Sequence, residues 1–258
     1  MFLKRVLKIF IVFVVLFSIL LVRKQENNVI EKSTFSKRIK FKGIFFDTYV
    51  VDLWENKVKF FWKDNQGQNL SNFQNLKIFL ENKNQVLLFA TNAGIYSPKN
   101  TPLGLYIENS RELSPINLQN GVGNFYLKPN GIFFISNKGA RIVQSSSYSY
   151  LTEDITFATQ SGPLLLRNGK LHSKFNRTSK NRYIRNGVGI INPKKIVFVI
   201  SNEKINLYYF ASFFKEKFNC KNALYLDGFV SKMYLPELNR FDLRGTFTGM
   251  IAVSKKKK

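Results

Sequence analysis

The sequence predicts a β-rich α+β fold: a single domain of mixed sheets with a few packed helices, preceded by an N-terminal hydrophobic segment. Short apolar runs typical of strands recur along the chain, tight-turn dipeptides follow several of them, and only two later stretches have helical periodicity. The regular alternation of strand and helix that marks a doubly wound fold is absent from the pattern. With 258 residues, 45% of them hydrophobic, the chain is long enough to bury a substantial core.

The first 24 residues have the pattern of a signal peptide or a membrane anchor. Lys4, Arg5 and Lys8 precede an uninterrupted apolar run from Ile9 to Val22. This run fits a signal-peptide core and is short for a membrane span. No small-residue cleavage site follows, which favours an uncleaved anchor with its basic end inside; a cleaved signal peptide and a buried core helix are the alternatives. An anchor or a signal peptide predicts an extracytoplasmic protein of the cell envelope.

The remaining chain divides by composition into three parts. Residues 25–40 are polar and are expected to form a linker, residues 41–254 to form the globular domain, and residues 255–258, KKKK, to form a basic tail. The dipeptides Asn130-Gly131, Asn168-Gly169 and Asn192-Pro193 lie between apolar residues and predict tight hairpin turns. Candidate strands lie within 42–53, 57–62, 86–91, 103–108, 124–128, 131–136, 163–169, 188–193, 195–201, 223–227 and 248–254.

Apolar spacing predicts two helices. The second follows Asn206, which is a suitable N-cap, and leads directly into the apolar run at 223–227. The 26 phenylalanines are expected to pack in the core and between sheets. The two stripes comprise Leu70, Phe73, Leu76, Phe79 and Leu80 in the first helix, and Leu207, Phe210, Ala211, Phe214 and Phe218 in the second.

Charge and composition exclude several classes of function. The chain has 40 Lys and Arg against 16 Asp and Glu, a net charge of +24, but the basic residues are scattered. Nucleic acid is therefore disfavoured as a partner, whereas an anionic membrane surface or envelope polymer is compatible with a diffuse positive field. Cys220 is the only cysteine and His172 the only histidine, so an intramolecular disulfide and a site of several histidines or cysteines are excluded.

Four segments place polar side chains where an apolar strand meets a glycine-containing turn. They are TNAGIY at 91–96, ATQSGPLLLRNGKLH at 158–172, RNGVGI at 185–190 and LYLDGFVS at 224–231. The ends of strands in a rigid sheet are a usual place for a binding or catalytic site. Walker loops, GxGxxG, GxSxG and HExxH motifs are absent.

In this order the four segments resemble the phosphodiester glycosidase family, over residues 41 to 253. GNFYLKPNGIFFI at 123–135 is similar to the compact bacterial branch of that family. The animal enzyme of the family has additional glycines where this chain has Ala93 and Phe229.

The resemblance implies that Asp227, Arg185 and Asn92 are catalytic. Asp227 would stabilise an oxocarbenium-like anomeric carbon, and Arg185 would bind the phosphate in a bidentate manner and stabilise its departure. Taken singly, the three residues also fit a turn former or helix cap, a surface arginine and a turn former. The expected substrate-binding residues are Gln160, Ser161, Gly162, Asn181, Gly228, Ser231 and His172, with a strand bulge at 161–162 and a packed ring at His172 as the alternatives.

The sequence thus predicts an extracytoplasmic hydrolase that cleaves the glycosidic bond of a sugar-1-phosphodiester, whose partner is a phosphodiester-linked glycan or a sugar phosphate. The alternative is a non-catalytic envelope module that binds an anionic glycan or a membrane surface. No metal site and no cofactor are expected; a divalent cation bound by acids such as Asp47, Asp52, Glu153 and Asp154 stays an open alternative. The identity of the sugar, its anomer and the oligomeric state are not specified by the sequence.

Overall fold

Antiparallel sheets and two helices make up residues 36–257, the part of the chain that the computed structural model describes. The prediction of a β-rich α+β domain with few helices is confirmed. In these residues no helix is both long enough and apolar enough to cross a membrane. The predicted signal peptide or anchor at 1–24 and residues 25–35 of the predicted linker lie outside the described range.

Seventeen strands are distinguished within the described residues. In chain order they are β1 (Ser36–Phe41), β2 (Ile44–Asp52), β3 (Val58–Phe61), β4 (Gln85–Asn92), β5 (Tyr106–Glu108), β6 (Arg111–Ser114), β7 (Gly131–Ser136), β8 (Gly139–Gln144), β9 (Ile155–Ser161), β10 (Leu164–Arg167), β11 (Lys170–Leu171), β12 (Asn186–Asn192), β13 (Lys195–Ser201), β14 (Asn222–Asp227), β15 (Met233–Leu235), β16 (Arg240–Phe241) and β17 (Met250–Lys256).

These strands form three sheets, and the pairings between neighbouring strands are antiparallel. The first sheet has the order β1-β2-β13-β12-β14-β10-β11, the second β16-β15-β4-β17-β3, and the third β6-β5-β9-β7-β8. Strands β4, β9 and β14 each belong to a different sheet and each ends in a polar residue. The ends of these three strands meet at the site described below.

The two helices confirm the sequence prediction. Helix α1 (Phe73–Glu81) is capped by Asn72, whose side chain accepts the N–H of Asn75. Helix α2 (Leu207–Phe218) is capped by Asn206, which accepts the N–H of Tyr209 at 3.0 Å. The predicted Leu70 precedes α1, although it packs in the same apolar cluster as the buried face of that helix.

Two sequence boundaries are corrected by strand pairing. Residues 36–40, assigned to the linker, belong to β1, in which Ser36 pairs with Tyr49 of β2. Likewise Lys255 and Lys256, assigned to the basic tail, belong to β17, and Lys256 pairs with Gln85 of β4. In both cases the polar side chains of the strand resemble those of a loop, and pairing sets the strand conformation: β1 forms a hairpin with β2, whereas β17 pairs with the distant β4.

Two of the three predicted turns are confirmed. Asn168 and Gly169 join β10 to β11 with positive φ values of 50° and 76°, and the β12–β13 hairpin closes at Asn192, which pairs with Lys195. The turn at Asn130 is wrong, because Asn130 is buried and its Nδ2 donates to the carbonyl of Phe125 at 3.0 Å. Gly131 already begins strand β7.

Aromatic rings fill the space between the sheets, as expected from the phenylalanine content. Phe89 of β4 stacks on Tyr49 of β2 at 4.3 Å between ring centroids and lies 5.1 Å from Phe198 of β13. Phe198 in turn meets Phe133 of β7 edge to face at 6.0 Å. Contacts of this kind bury large apolar areas and hold the three sheets in a fixed arrangement. Polar residues at the strand ends are therefore placed by a rigid core.

Candidate active site

The candidate site lies where β4, β9 and β14 end and β12 begins. Strand pairing places Asn186, the first residue of β12, opposite Asp227, the last residue of β14. Ser161, at the end of β9, donates its hydroxyl to the carbonyl of Leu226 at 2.6 Å. These contacts join the ends of the first and third sheets. Asn92, at the end of β4, brings in the second sheet.

Asn186 is the centre of this junction, and the sequence analysis did not select it. Its Nδ2 lies 2.9 Å from the Oγ1 of Thr91 and 2.9 Å from the Oδ1 of Asn92. Its Oδ1 accepts the backbone N–H of Asp227 at 3.0 Å and the hydroxyl of Ser231 at 3.2 Å. A buried asparagine in a central strand needs hydrogen-bond partners. The position of Asn186 in the apolar run after Arg185 was therefore the sequence signal that could have indicated its structural role.

Arg185 is fully buried, so the alternative of a surface arginine is wrong. Its Nε donates to the carbonyl of Ile205 at 2.7 Å and its Nη1 to the hydroxyl of Tyr225 at 2.9 Å. Its Nη2 donates to both the carbonyl and the Oδ1 of Asn181, at 3.0 and 2.7 Å. The rings of Tyr183 and Tyr225 lie 5.6 and 5.2 Å from the guanidinium carbon. Four of its five N–H groups are thus held by the protein.

The charge of Arg185 has no acidic partner among residues 36–257, since no carboxylate there forms an ion pair with it. Burial lowers the pKa of Arg185, and the Tyr225 side chain partly offsets this effect. Neutral acceptors and aromatic faces therefore stabilise the cation without neutralising it. Because Nη2 is fully engaged with Asn181, the bidentate contact to phosphate expected from the sequence is not available in this arrangement.

Gly228 follows Asp227 directly and packs against the side chains of Tyr225 and Arg185. A Cβ atom at this position would lie 1.4 Å from the hydroxyl oxygen of Tyr225 and 3.3 Å from the Nη1 of Arg185. Only glycine allows so close an approach of the backbone. The peptide that follows Asp227 consequently runs directly over the buried guanidinium and its tyrosine partner.

Asp227 forms a turn, which is one of the roles that the sequence left open for it. Its Oδ1 accepts the N–H of Phe229 at 2.9 Å, which is the geometry of an Asx turn. Only 5% of the residue is exposed, and burial raises its pKa against the lowering effect of the backbone N–H groups of Phe229, Val230 and Gly228. Asp227 thus forms a turn and is at the same time an acid that is largely removed from solvent.

Asn92 and Ser231 fix the position of this turn. The Oδ1 of Asn92 accepts the backbone N–H of Lys232 at 2.8 Å. Ser231 donates its hydroxyl to the backbone carbonyl of Asp227. Both side chains also bind Asn186, so the segment from Asp227 to Lys232 is held on two sides by the same amide.

Seven of the ten residues predicted for the site lie in this cluster. Gln160 does not: its Oε1 accepts the N–H groups of Leu105 and Asn117, and its Nε2 donates to the carbonyl of Asn117. Its side chain binds the loop that contains Asn117 to β9, on the face of β9 opposite the side chain of Ser161. The residues that the structure brings together are Asn92, Ser161, Asn181, Arg185, Gly228, Asp227 and Ser231.

His172 and Gly162 also lie apart from the cluster. The Nε2 of His172 donates to the carbonyl of Lys128 at 3.2 Å, its Nδ1 accepts the N–H of Lys174 at 3.1 Å, and its ring stacks on Phe175. Burial lowers its pKa, which agrees with a packed neutral ring. Gly162 packs against the backbone carbonyl of Phe125.

Exposed apolar residues adjoin the cluster in sequence and form what we term its mouth: Tyr183 and Ile184 before Arg185, and Phe229 after Gly228. Phe229 is 92% exposed, although its backbone N–H is fixed by Asp227. Tyr96, on the loop after β4, is close enough for the charge of Asp227 to raise its pKa together with burial, the larger cause. The sequence analysis missed Tyr96 and Tyr225 because neither has a local pattern that differs from a core tyrosine.

No group of three or more His, Cys, Asp or Glu side chains with the spacing of a metal site occurs in residues 36–257. The acids considered as cation ligands bind elsewhere: Asp47 to Arg38 and Arg240, Glu153 to Arg141 and Asp52 to Lys195. The cluster instead combines one desolvated acid, one buried cation and neutral amides. Such a set suits a ligand with an anionic group and neutral polar groups.

Fold and site together define a domain of three antiparallel sheets with an Asn-Arg-Asp cluster at their junction. The sequence model of the family described as phosphodiester glycosidase matches residues 85–249, which include Asn92, Arg185, Asn186 and Asp227. This match covers more than half of the chain. The protein belongs to the phosphodiester glycosidase family, and the resemblance found in the sequence is confirmed.

Two kinds of relative support this assignment. Escherichia coli (strain K12) has a protein named uncharacterized protein YigE that is 36% identical over 208 residues, 81% of each chain. Among solved structures, the catalytic domain of zebrafish N-acetylglucosamine-1-phosphodiester alpha-N-acetylglucosaminidase, auto-inhibited by its pro-peptide, has a TM-score of 0.59 at 14% identity and covers 85% of this chain and 81% of its own. A hypothetical protein from Synechocystis has a TM-score of 0.52 at 13% identity, covering 85% and 61%. These two structures share the fold.

Proposed function

We propose that this protein hydrolyses the glycosidic bond of a sugar-1-phosphodiester outside the cytoplasmic membrane. The observation that carries the proposal is the juxtaposition of Asp227 with a buried Arg185, which has no ion-pair partner in residues 36–257, through the Gly228 peptide. Membership of the phosphodiester glycosidase family supports the reaction class. The apolar run from Ile9 to Val22 supports the location.

In this reaction water adds to the anomeric carbon as the bond from that carbon to the phosphate oxygen breaks. The bonding electrons leave with the phosphate, and the proton released by water ends on the phosphomonoester or in solvent. Positive charge develops at the sugar, where ionised Asp227 would stabilise it. Phosphate leaves readily near neutral pH, so one carboxylate suffices where ordinary glycosidases use an acid and base pair.

Arg185 acts on the substrate through the electrostatic field of its buried charge. This replaces the bidentate contact to phosphate that the sequence predicted. Its guanidinium lies beneath the peptide that carries the acid, in a region where low polarity strengthens electrostatic effects. An anionic phosphate at the mouth is attracted by this charge. Asn181, Tyr225 and Ile205 hold the guanidinium in place and act as positioning residues.

The side-chain amide of Asn92 has one group that is free to bind a ligand. Its Oδ1 is occupied by Asn186 and Lys232, whereas its Nδ2 binds no acceptor among the described residues. The amide nitrogen is therefore left to donate to a sugar hydroxyl. Asn186 and Ser231 position Asp227 and are not proposed to contact the substrate.

The non-catalytic alternative rests on one observation. Asp227 already closes an Asx turn and is almost completely buried, and a turn of this kind requires no substrate. A module that holds an anionic glycan would use the field of Arg185 in the same way, without bond cleavage.

Incubation of the full-length protein with synthetic sugar-1-phosphodiesters, followed by product analysis, separates these functions. Free sugar plus phosphomonoester is the expected result. A sugar phosphate plus an alcohol would assign cleavage to the other side of the bridging oxygen, and binding without turnover would favour the module. The location is tested separately by a reporter fused after Lys258, since activity of a cytoplasm-only reporter contradicts it.

A further inference from the structure

A concave site lies at the end of the domain opposite Asp227. It is a pocket of about 500 Å³ between the β2–β3 connection and the β7–β8 and β12–β13 turns. Its apolar lining comes mainly from Leu53, Val58, Ile135, Phe157 and Pro193. Strand β12 runs seven residues from Asn186 in the candidate site to Asn192 beside this pocket, so the two are separated by about 20 Å.

The polar part of this pocket combines four lysines with the neutral side chains of Asn56, Ser136 and Asn137. Lys57, Lys59, Lys138 and Lys194 line it, and no acidic residue does. None of these four lysines forms an ion pair within residues 36–257. The nearby acids are engaged elsewhere, as the pairs Asp52–Lys195 and Glu153–Arg141 show. Lys138 helps to lower the pKa of the nearby Glu153, but no acid lines the cavity itself, so the lysines carry a net positive charge there.

Trp54 stands at the edge of the pocket and is 74% exposed. The Nζ of Lys194 lies 4.3 Å from the centre of its ring. A large aromatic ring left in water beside lysines is the composition found where proteins meet the interface of an anionic membrane. An exposed tryptophan also costs hydrophobic free energy that an apolar partner would recover.

The last strand of the domain passes beside the pocket. Val253 of β17 pairs with Val58 of the pocket lining, and the exposed residues Lys255, Lys256 and Lys257 follow. These lysines add to the positive charge at this end of the domain.

We propose that this pocket, defined by Trp54 and the four lysines, binds anionic phospholipid of a membrane surface. One acyl chain enters between the apolar side chains, the phosphate lies among the ammonium groups, and Trp54 lies at the interface. A carbohydrate suits the lining less well, because the lining contains no carboxylate, the hydroxyl of Ser136 already binds Glu153, and the Nδ2 of Asn137 already donates to Asp154. The candidate active site then faces away from the bilayer, toward soluble or polymeric substrates.

The experiment uses the full-length protein with vesicles and reads Trp54 directly. The chain has two tryptophans, and Trp62 is buried, so short-range quenching by lipids brominated on the acyl chain reports mainly on Trp54. Quenching is expected in vesicles containing phosphatidylglycerol and not in pure phosphatidylcholine vesicles. The Trp54→Phe variant should lose it.

A matched pair of triple variants tests the lysines. Lys57→Gln, Lys138→Gln and Lys194→Gln together should raise the concentration of phosphatidylglycerol vesicles needed for half-maximal quenching by at least tenfold, since each lysine near an anionic surface contributes roughly fivefold in affinity. The equally charged control, Lys99→Gln, Lys204→Gln and Lys221→Gln, changes exposed lysines outside the pocket and should differ little from wild type.

Two results overturn the proposal. One is the same loss of quenching in both triple variants, or no quenching in any vesicle. The other is a change of Trp54 emission caused by soluble polygalacturonate or inorganic phosphate but not by phosphatidylglycerol, which would assign the pocket to a soluble anion. Neither result depends on hydrolysis of a phosphodiester, so failure here is distinguishable from failure of the proposed function.

Discussion

Asn186 donates its Nδ2 to the Oδ1 of Asn92 at 2.9 Å, and this bond joins strands of two different sheets. Through its own Oδ1, Asn186 also accepts the backbone N–H of Asp227. One buried amide thus connects the strand end that carries Asn92 with the strand end that carries the acid. The geometry of the candidate site depends on this residue more than on any that the sequence singled out.

Replacement of Asn186 by Ala should therefore destabilise the protein strongly. The change takes the side-chain acceptor from the backbone N–H of Asp227 and one of the partners from each of the hydroxyls of Thr91 and Ser231. A buried polar group without a partner costs about 1 to 3 kcal/mol, and the lost amide also leaves a cavity. We expect a loss of about 3 kcal/mol in the free energy of unfolding, measured by chemical denaturation.

Asn65→Ala is the control for this change, because Asn65 is exposed and binds only the Nζ of Lys83. Its effect should stay within about 0.5 kcal/mol. Equal stability of the Asn186 and Asn65 variants would contradict the central role of Asn186.

Glu108 predicts a dependence of stability on pH away from the site. Burial raises its pKa to about 7, against the lowering effects of the Trp62 N–H and of Lys83. The folded state then binds more protons than the unfolded state between the ordinary carboxyl value of about 4.5 and about 7. The contribution of Glu108 to stability is complete below that range and is lost as the pH rises through 7.

Denaturation of wild type and Glu108→Gln at several pH values measures this effect. The glutamine variant should lose stability less than wild type between pH 5 and pH 8. Parallel stability curves for the two proteins would show that Glu108 does not titrate in this range.

Local patterns were sufficient to predict most elements of the fold. Helix α2 and its Asn206 cap follow from apolar spacing and from one side chain that bonds three residues ahead. Where long-range contacts decide, local signals failed: Asn130 has the residue pair of a hairpin turn, yet its amide is buried against Phe125. Strand β1 was assigned to a linker because its polar residues become strand only by pairing with β2.

The same distinction applies to the candidate site. Asn92, Arg185 and Asp227 could be selected from the sequence because each belongs to a segment that resembles a known family. Asn186 bonds a partner 94 residues away, and no local pattern specifies such a contact. The burial of Arg185 was missed for a similar reason, since its acceptors Ile205 and Tyr225 come from distant segments.

Arg185→Lys tests whether the buried charge alone is sufficient. Lysine keeps the charge but loses the planar guanidinium, whose N–H groups donate to Ile205, Tyr225 and Asn181. We expect a lower kcat and a higher KM for a phosphodiester substrate, with a lower melting temperature. Arg182→Lys, an exposed neighbour, is the control and should behave as wild type. Unchanged kcat and KM in Arg185→Lys would remove this side chain from the mechanism.

Phe229 tests the apolar mouth of the site. Its side chain is almost fully exposed, so Phe229→Ala should change the free energy of unfolding by less than about 0.5 kcal/mol. Its position directly after the Asp227-Gly228 turn predicts an effect on KM while kcat is largely kept. Val122→Ala, at another exposed apolar residue, serves for comparison. The interpretation is contradicted if both variants have the same KM as wild type.

Asp227→Asn addresses the acid itself. Asparagine retains an oxygen that can accept the Phe229 N–H, so the turn should persist. Burial raises the pKa of Asp227, which means that the folded protein favours a neutral side chain there. The variant should consequently be at least as stable as wild type, while its turnover of a sugar-1-phosphodiester should fall on the order of a hundredfold or more.

The pH profile supplies the second measurement on Asp227. If the ionised form is active, wild-type kcat should fall as the pH decreases through the raised pKa, so the acid limb lies above the range of an ordinary aspartate. The residual activity of Asp227→Asn should lack this limb. Full specific activity in a folded Asp227→Asn protein would reject the catalytic role, because the carboxylate would then serve only the Asx turn, and the glycan-binding module would become the better account of the site.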